Sequence, residues 1–66
     1  MEPLLVILRK SAGLTQKSAA EQLGVGQSTI SMWESGASKP RIEMLKKISI
    51  VYGCDIKLLL ESFCGQ

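Results

Sequence analysis

The sequence predicts an all-α domain of five short helices. Glycines and prolines divide its 66 residues into helix-length pieces. Within these pieces apolar residues recur at helical spacing, and no segment shows sustained two-residue alternation. Only 5% of the residues are aromatic, which also favours helices over sheet. A chain of this length provides one domain, expected over residues 1–66 with its core over residues 4–61.

The first helix is expected to run from Pro3 to about Ala12. Proline suits a first helical turn because its missing N–H would have no helical partner there. Gly13 can take the left-handed conformation that stops a helix. The residues predicted to share the inner face of this helix are Leu4, Leu5, Leu8 and Ala12.

Thr15 is expected to cap a second helix, Gln16–Leu23. Ser18 stands where a capping box usually has glutamate or glutamine, so we expect a slightly weakened start to this helix. Gly24 can adopt the positive φ that ends the helix after two turns.

A third helix is expected to begin near Gln27 and to end at Gly36, with Gly26 as a tolerable cap. The second and third helices, with the short link between them, therefore predict a helix-turn-helix within Thr15–Gly36.

Two further helices complete the predicted domain. The fourth is expected from about Pro40 to Tyr52, and Asp55 is a good cap for the fifth. The inner stripe of the fourth helix is predicted to comprise Ile42, Leu45, Ile48, Ser49 and Tyr52. The fifth helix contributes Ile56, Leu59 and Leu60.

The link between the second and third helices is too short for the third to fold back antiparallel, so the two must cross steeply. A close crossing needs a small residue, which Ala20 supplies. The residues predicted to point inward and fix the pair are Leu23, Val25, Ile30 and Trp33. Those left on the outer face of the third helix are Gln27, Ser28, Ser31 and Met32.

This outer face is polar but uncharged, which is unusual for a helix surface that only meets solvent. Its side chains suit the major groove of DNA: glutamine can make two hydrogen bonds to adenine, serine can donate or accept, and Met32 can pack on a thymine methyl. The pattern therefore favours base contacts, with an ordinary surface glutamine at Gln27 as the alternative.

Charge and composition exclude several classes of function. The net charge is +2, and residues 9–41 hold five basic and two acidic side chains, which fits a docked polyanion and an ordinary solvated surface equally well. The chain has no histidine, and its two cysteines, Cys54 and Cys64, lack metal-site spacing. We therefore expect no enzyme activity, metal, cofactor or small-molecule ligand. We expect no membrane span or signal peptide, and a cytoplasmic location with Cys54 packed as a small apolar residue.

The sequence resembles the lambda-repressor-like helix-turn-helix family, of phage repressor, Cro and Xre type. The resemblance covers roughly residues 4–61. It is carried by Leu8, Arg9, Gly13, Leu14, Thr15, Gln16, Ala20, Leu23, Gly24, Val25, Ser28, Thr29, Ile30, Ser31, Trp33, Glu34 and Gly36, and extended by Pro40, Leu45, Ile48, Gly53 and Leu59.

The resemblance implies specific roles. Gln27, Ser28, Ser31 and Met32 match positions that contact bases. Gln16 matches a phosphate contact that often braces the glutamine at Gln27, and Arg9 and Glu34 match a pair that forms an internal salt bridge. Lys39 and Arg41 match a loop that approaches the DNA backbone. We also expect backbone contacts from Lys10, Lys17 and Ser35, and for Lys10 and Lys17 a role in solubility alone is an equal alternative.

The family further implies a homodimer, joined through the loop after the fourth helix and the fifth helix, on double-stranded DNA. The expected function is transcriptional regulation, most simply repression at a palindromic operator. The chain departs from the family at Gly26, where serine or threonine is common, and at Ser18 and Ala19, where Glu-Leu is usual.

One alternative stays open at this point. The same fold can serve as a protein-interaction module, such as an antitoxin or co-regulator subunit, with weak or non-specific DNA binding. Apolar residues outside the predicted core favour a subunit or partner surface: Val6, Ile7, Ile50, Val51 and Phe63.

Overall fold

The computed structural model describes residues 2–63, and within this range the chain forms five helices and no strand. They are α1 (Leu4–Ser11), α2 (Gln16–Leu23), α3 (Gln27–Ser35), α4 (Ile42–Tyr52) and α5 (Ile56–Phe63). The predicted all-α class and the order of its elements are confirmed. The ends of the predicted 1–66 domain, including Cys64, lie outside the described residues.

The core lies where α4 meets the other helices. α4 packs against α1, α2 and α5, while α3 packs against α1 and α2. The largest fully buried side chains come from three helices: Ile30, Leu45, Ile48 and Leu59. Each such side chain stabilises the fold by about 1.5–3 kcal/mol relative to exposure. Since few residues are buried to this degree, the position of each helix depends on a small number of contacts.

Two predicted faces differ from those observed. On α1, Ala12 lies beyond the end of the helix and is exposed, whereas Arg9 is buried. On α4, Ile42 is 55% exposed, because it falls at the edge of the stripe that Leu45, Ile48 and Tyr52 define. α4 also begins at Ile42, two residues after Pro40.

The predicted weakness at the start of α2 is wrong. The Thr15 hydroxyl accepts a hydrogen bond from the Ser18 amide at 3.0 Å, and the Ser18 hydroxyl accepts one from the Thr15 amide at 2.9 Å. These reciprocal bonds form a complete capping box in which serine does the work usually done by glutamate or glutamine. The first turn of α2 is therefore well anchored.

Two glycines shape the turn between α2 and α3 in different ways. Gly24 ends α2 with a φ of 74°, and its amide bonds to the carbonyl oxygen of Ala20. The Val25 amide shares that oxygen at 3.0 Å. Gly26 caps α3 with a φ of −77°, a conformation open to any residue, and provides no side-chain cap. Ala19 and Ala20 are both buried, which lets the two helices approach closely.

We expect Gly26→Ser to stabilise the protein by about 0.5–1 kcal/mol. A hydroxyl at this position can accept a hydrogen bond from an amide of the first turn of α3, and serine has fewer unfolded conformations to lose than glycine. A Cβ here would lie 3.7 Å from the Ser28 hydroxyl, an ordinary contact. Urea denaturation measures the change.

The matched control is Gly24→Ser, which places the same side chain at a positive φ. It should destabilise the protein by about 1–2 kcal/mol, because the left-handed region is less favourable by that amount for L-residues. Equal effects from the two substitutions would contradict the different roles given to the two glycines.

Candidate nucleic-acid interface

The outer face of α3 carries the four side chains for which base contacts were predicted. All four are exposed: Gln27, Ser28, Ser31 and Met32. At 100° per residue they occupy a continuous arc of about 140° around the helix. This surface is uncharged and has the dimensions of a single helix, so it can enter a major groove without burying an ionised side chain.

The opposite face of α3 fixes the helix to the core. Ile30 is completely buried and Trp33 is 9% exposed, which makes the tryptophan a packing residue rather than a stacking platform. Leu23 of α2 is buried in the same core, with Val25 of the turn packed against it. These contacts determine which side of α3 faces outward.

A buried ion pair connects α3 to α1. Arg9 Nε donates to Glu34 Oε2 at 2.6 Å, and Arg9 Nη2 lies 3.4 Å from Glu34 Oε1. The side chains are 11% and 7% exposed. Arg9 Nη1 also donates to the Leu14 carbonyl at 2.8 Å. The salt bridge that the resemblance implied between these two residues is therefore present, and it also holds the loop before α2.

Gln16 joins this network instead of bracing Gln27. Its Nε2 donates to Glu34 Oε1 at 2.9 Å. The hydrogen bonds within residues 2–63 include none between the side chains of Gln16 and Gln27. The reason is chemical: a buried carboxylate has more accepting capacity than one arginine uses, and the first residue of α2 lies within its reach.

The charge of the buried network also affects the pKa of the neighbouring Tyr52. Burial raises the pKa of the Tyr52 hydroxyl above its usual value of 10.0, and the negative charge of Glu34 raises it further. Tyr52 is therefore neutral at physiological pH, as suits its place in the core. Burial likewise raises the pKa of the Cys54 thiol, which packs against the core in its neutral form, as predicted.

The cationic residues predicted to contact the DNA backbone lie on exposed segments. Lys17 is exposed in the first turn of α2. Lys39 and Arg41 are exposed on either side of the buried Pro40, in the loop between α3 and α4. This loop borders an open cleft of about 470 Å³, lined by Trp33, Lys39, Pro40, Arg41, Glu43 and Met44. No sequence pattern had indicated the cleft, since its lining comes from α3, the following loop and α4 together.

Two other predicted backbone contacts already have partners. Lys10 Nζ lies 2.7 Å from Glu2 Oε2, in an exposed pair that contributes little stability. The Ser35 hydroxyl donates to the Met32 carbonyl at 3.2 Å and accepts from the Ala37 amide at 3.3 Å. Ser35 therefore also has a role in ending α3, and its contact with phosphate stays a prediction.

The predicted apolar partner surface is only partly present. Val51 and Phe63 are half-buried and pack against the core, so they expose less surface than predicted. Ile50 is 80% exposed and Ile7 is 42% exposed, while Val6 is half-buried. Leu58 of α5, for which no exposed position was predicted, is 45% exposed.

Within residues 2–63 no group of side chains is arranged to hold a metal ion. None of the five helices is long and apolar enough to cross a bilayer.

Comparisons with known proteins agree with this architecture. The sequence profile of the family described as helix-turn-helix matches residues 5–59. The chain is 47% identical over 53 residues to the HTH-type transcriptional activator BcrR of Enterococcus faecalis, covering 80% of this chain and 26% of BcrR.

Two further relatives have different names. The cryptic phage CTXphi transcriptional repressor RstR of Vibrio cholerae is 34% identical over 53 residues, covering 80% of this chain and 48% of RstR. Antitoxin HigA1 of Mycobacterium tuberculosis is 33% identical over 57 residues, covering 86% of this chain and 38% of HigA1. The chain thus spans between a quarter and a half of these relatives. No solved structure matches it significantly.

We expect Arg9→Met to destabilise the protein by about 3–5 kcal/mol, because Glu34 would stay buried without a compensating charge. This loss is comparable to the whole stability of a small domain. The double variant with Arg9→Met and Glu34→Met should recover most of it, since no buried charge remains. Urea denaturation at low temperature measures both, and equal instability of the single and double variants would contradict this account.

Proposed function

The chain belongs to the lambda-repressor-type family of helix-turn-helix transcriptional regulators, and we propose that it binds a specific sequence of double-stranded DNA through the outer face of α3. The observation that carries the proposal is the uncharged polar arc of exposed side chains on a helix whose other face is fixed in the core. A scaffold that determines the outward face of one short helix is what direct base contact needs.

The chemistry of this arc suggests a division among its side chains. The Gln27 carboxamide pairs with the N6 and N7 edge of an adenine, and Met32 packs on a thymine methyl. Ser28 and Ser31 accept or donate as the base requires. Gln27 is the principal specificity residue in this arrangement, because only its side chain can make two bonds to one base.

Contacts to the DNA backbone supply the affinity that does not depend on sequence. Lys17 and the loop residues Lys39 and Arg41 flank α3 along the chain and are exposed. Gln16 adds a neutral donor at the start of α2, and Lys10 and Ser35 complete the proposed set. Each cation that neutralises a phosphate releases counterions, so affinity falls steeply as salt rises.

We propose that the binding unit is a homodimer. The loop after α4 together with α5 forms the interface, where Leu58 offers exposed apolar surface. Two copies related by a twofold axis place their α3 helices in successive major grooves, about 34 Å apart, on a palindromic operator. Binding of this kind represses transcription most simply by covering a promoter.

Selection of random duplex DNA against the purified protein tests this function. We expect recovery of a palindrome whose half-sites are about one helical turn apart. Binding that is sensitive to salt but indifferent to sequence would overturn the proposal. That result would favour a protein-interaction module, for which the exposed Ile42 and Ile50 on α4 offer apolar surface.

We expect Gln27→Ala to remove the preference for adenine at one position of each half-site, at a cost of about 1–3 kcal/mol per half-site. Titration of the selected site and of variants changed at that position measures the effect. The matched control is Gln22→Ala, on the exposed surface of α2. It should leave both affinity and preference unchanged. Uniform weakening of all sequences by Gln27→Ala would show that the base-contacting face is placed wrongly.

A further inference from the structure

Glu34 is at the centre of the buried polar network, with three donated hydrogen bonds on its two oxygens. Two come from Arg9, at 2.6 and 3.4 Å, and one from Gln16 Nε2, at 2.9 Å. An ionised carboxylate can only accept hydrogen bonds. The Gln16 carboxamide must therefore turn its nitrogen, and not its oxygen, toward Glu34.

This contact fixes a residue at a position that matters for DNA. Gln16 is the first residue of α2, where the helix amides point outward and favour an anion. Its side chain is half-buried, so one part faces Glu34 while the remainder lies toward the surface. With one N–H held by the carboxylate, the amide nitrogen has a second N–H left to donate.

We propose that Glu34 is a positioning residue for DNA binding, which orients the Gln16 carboxamide so that its second N–H donates to a DNA phosphate. This rests on the proposed function above. Glu34 itself is 8% exposed and touches no DNA; it acts through Gln16. Glu34 thereby has a second role, the orientation of Gln16, besides joining α1 to α3 through its ion pair with Arg9.

The bond between Gln16 and Glu34 separates the affinity for DNA from the preference for particular bases. A glutamine that braced Gln27 would influence which base is preferred. Gln16 held by Glu34 instead contributes equally to every sequence, because every duplex presents phosphates. Gln16 is neutral and releases no counterion, so its contact changes affinity without changing the salt dependence.

Gln16→Met tests the phosphate contact, since methionine keeps the length and the aliphatic packing but has no N–H. Affinity for the selected site and for unrelated duplex should fall by the same factor, about tenfold per protomer. The base preference and the salt dependence should not change. The matched control is Gln22→Met, which should bind as the unmodified protein does. Altered base preference in Gln16→Met would overturn the proposal.

Glu34→Gln tests the positioning role. If Glu34 orients Gln16, then Gln16→Met should cost much less when Glu34→Gln is already present, roughly threefold or less. A purely structural role for Glu34 predicts the same tenfold loss in both backgrounds and would overturn the proposal. Circular dichroism must show that each variant is folded at the temperature of the titration.

A measurement on the free protein keeps the inference testable if Glu34→Gln does not fold. The side-chain amide signals of Gln16 in a ¹⁵N-labelled sample are those that disappear in Gln16→Met. Their chemical shifts should be unchanged in Gln27→Ala, because Gln16 donates to Glu34 and not to Gln27. A large displacement in Gln27→Ala would overturn the proposal. Since no DNA is present, this result is separate from any failure of the proposed function, which the DNA selection reveals on its own.

Discussion

The buried ion pair between Arg9 and Glu34 sets the position of the third helix in the domain. Removing two charges from water is costly, and the cost is offset only when both groups are fully hydrogen-bonded. Here Arg9 also donates to the Leu14 carbonyl, and Glu34 also accepts from Gln16. A rotation of α3 that separated the pair would leave a charge buried and unpaired. The pair therefore favours the same orientation of α3 that the buried Ile30 and Trp33 set from the core.

This constraint matters because α3 has only nine residues. Isolated helices of that length are marginal in water, so packing must maintain its structure. The turn at Gly24 and the close approach at Ala20 bring α3 against α2, and Ile30 and Trp33 anchor it to the core. The four side chains on the outer face of α3 consequently lie outside the core.

Local chemistry was sufficient to predict most of the fold. Glycine conformations and helical spacing located the five helices and the inward positions of Ile30 and Trp33. Errors arose where a side chain had a choice of partner. Ser18 completes a capping box because its hydroxyl happens to reach the Thr15 amide. Gln16 bonds to Glu34, eighteen residues away, because folding brings them together. The bond from Gln16 depends on tertiary distance, which no spacing along the chain contains. The bonds of Ser18 are local, and treating serine as a possible capping-box partner would have found them.

The hydrogen bond from Gln16 to Glu34 also matters for the conformational entropy that the proposed DNA contacts cost. A side chain already held in place loses little entropy when it meets a phosphate, so its contact is preorganised. The Gln27 side chain makes no hydrogen bond within residues 2–63, and pairing with a base must order it. Under the proposed function, base contact by Gln27 therefore carries an ordering cost that the phosphate contact of Gln16 does not. Substitutions on the outer face of α3 would then change the preferred sequence and leave the buried network of Arg9, Glu34 and Gln16 intact.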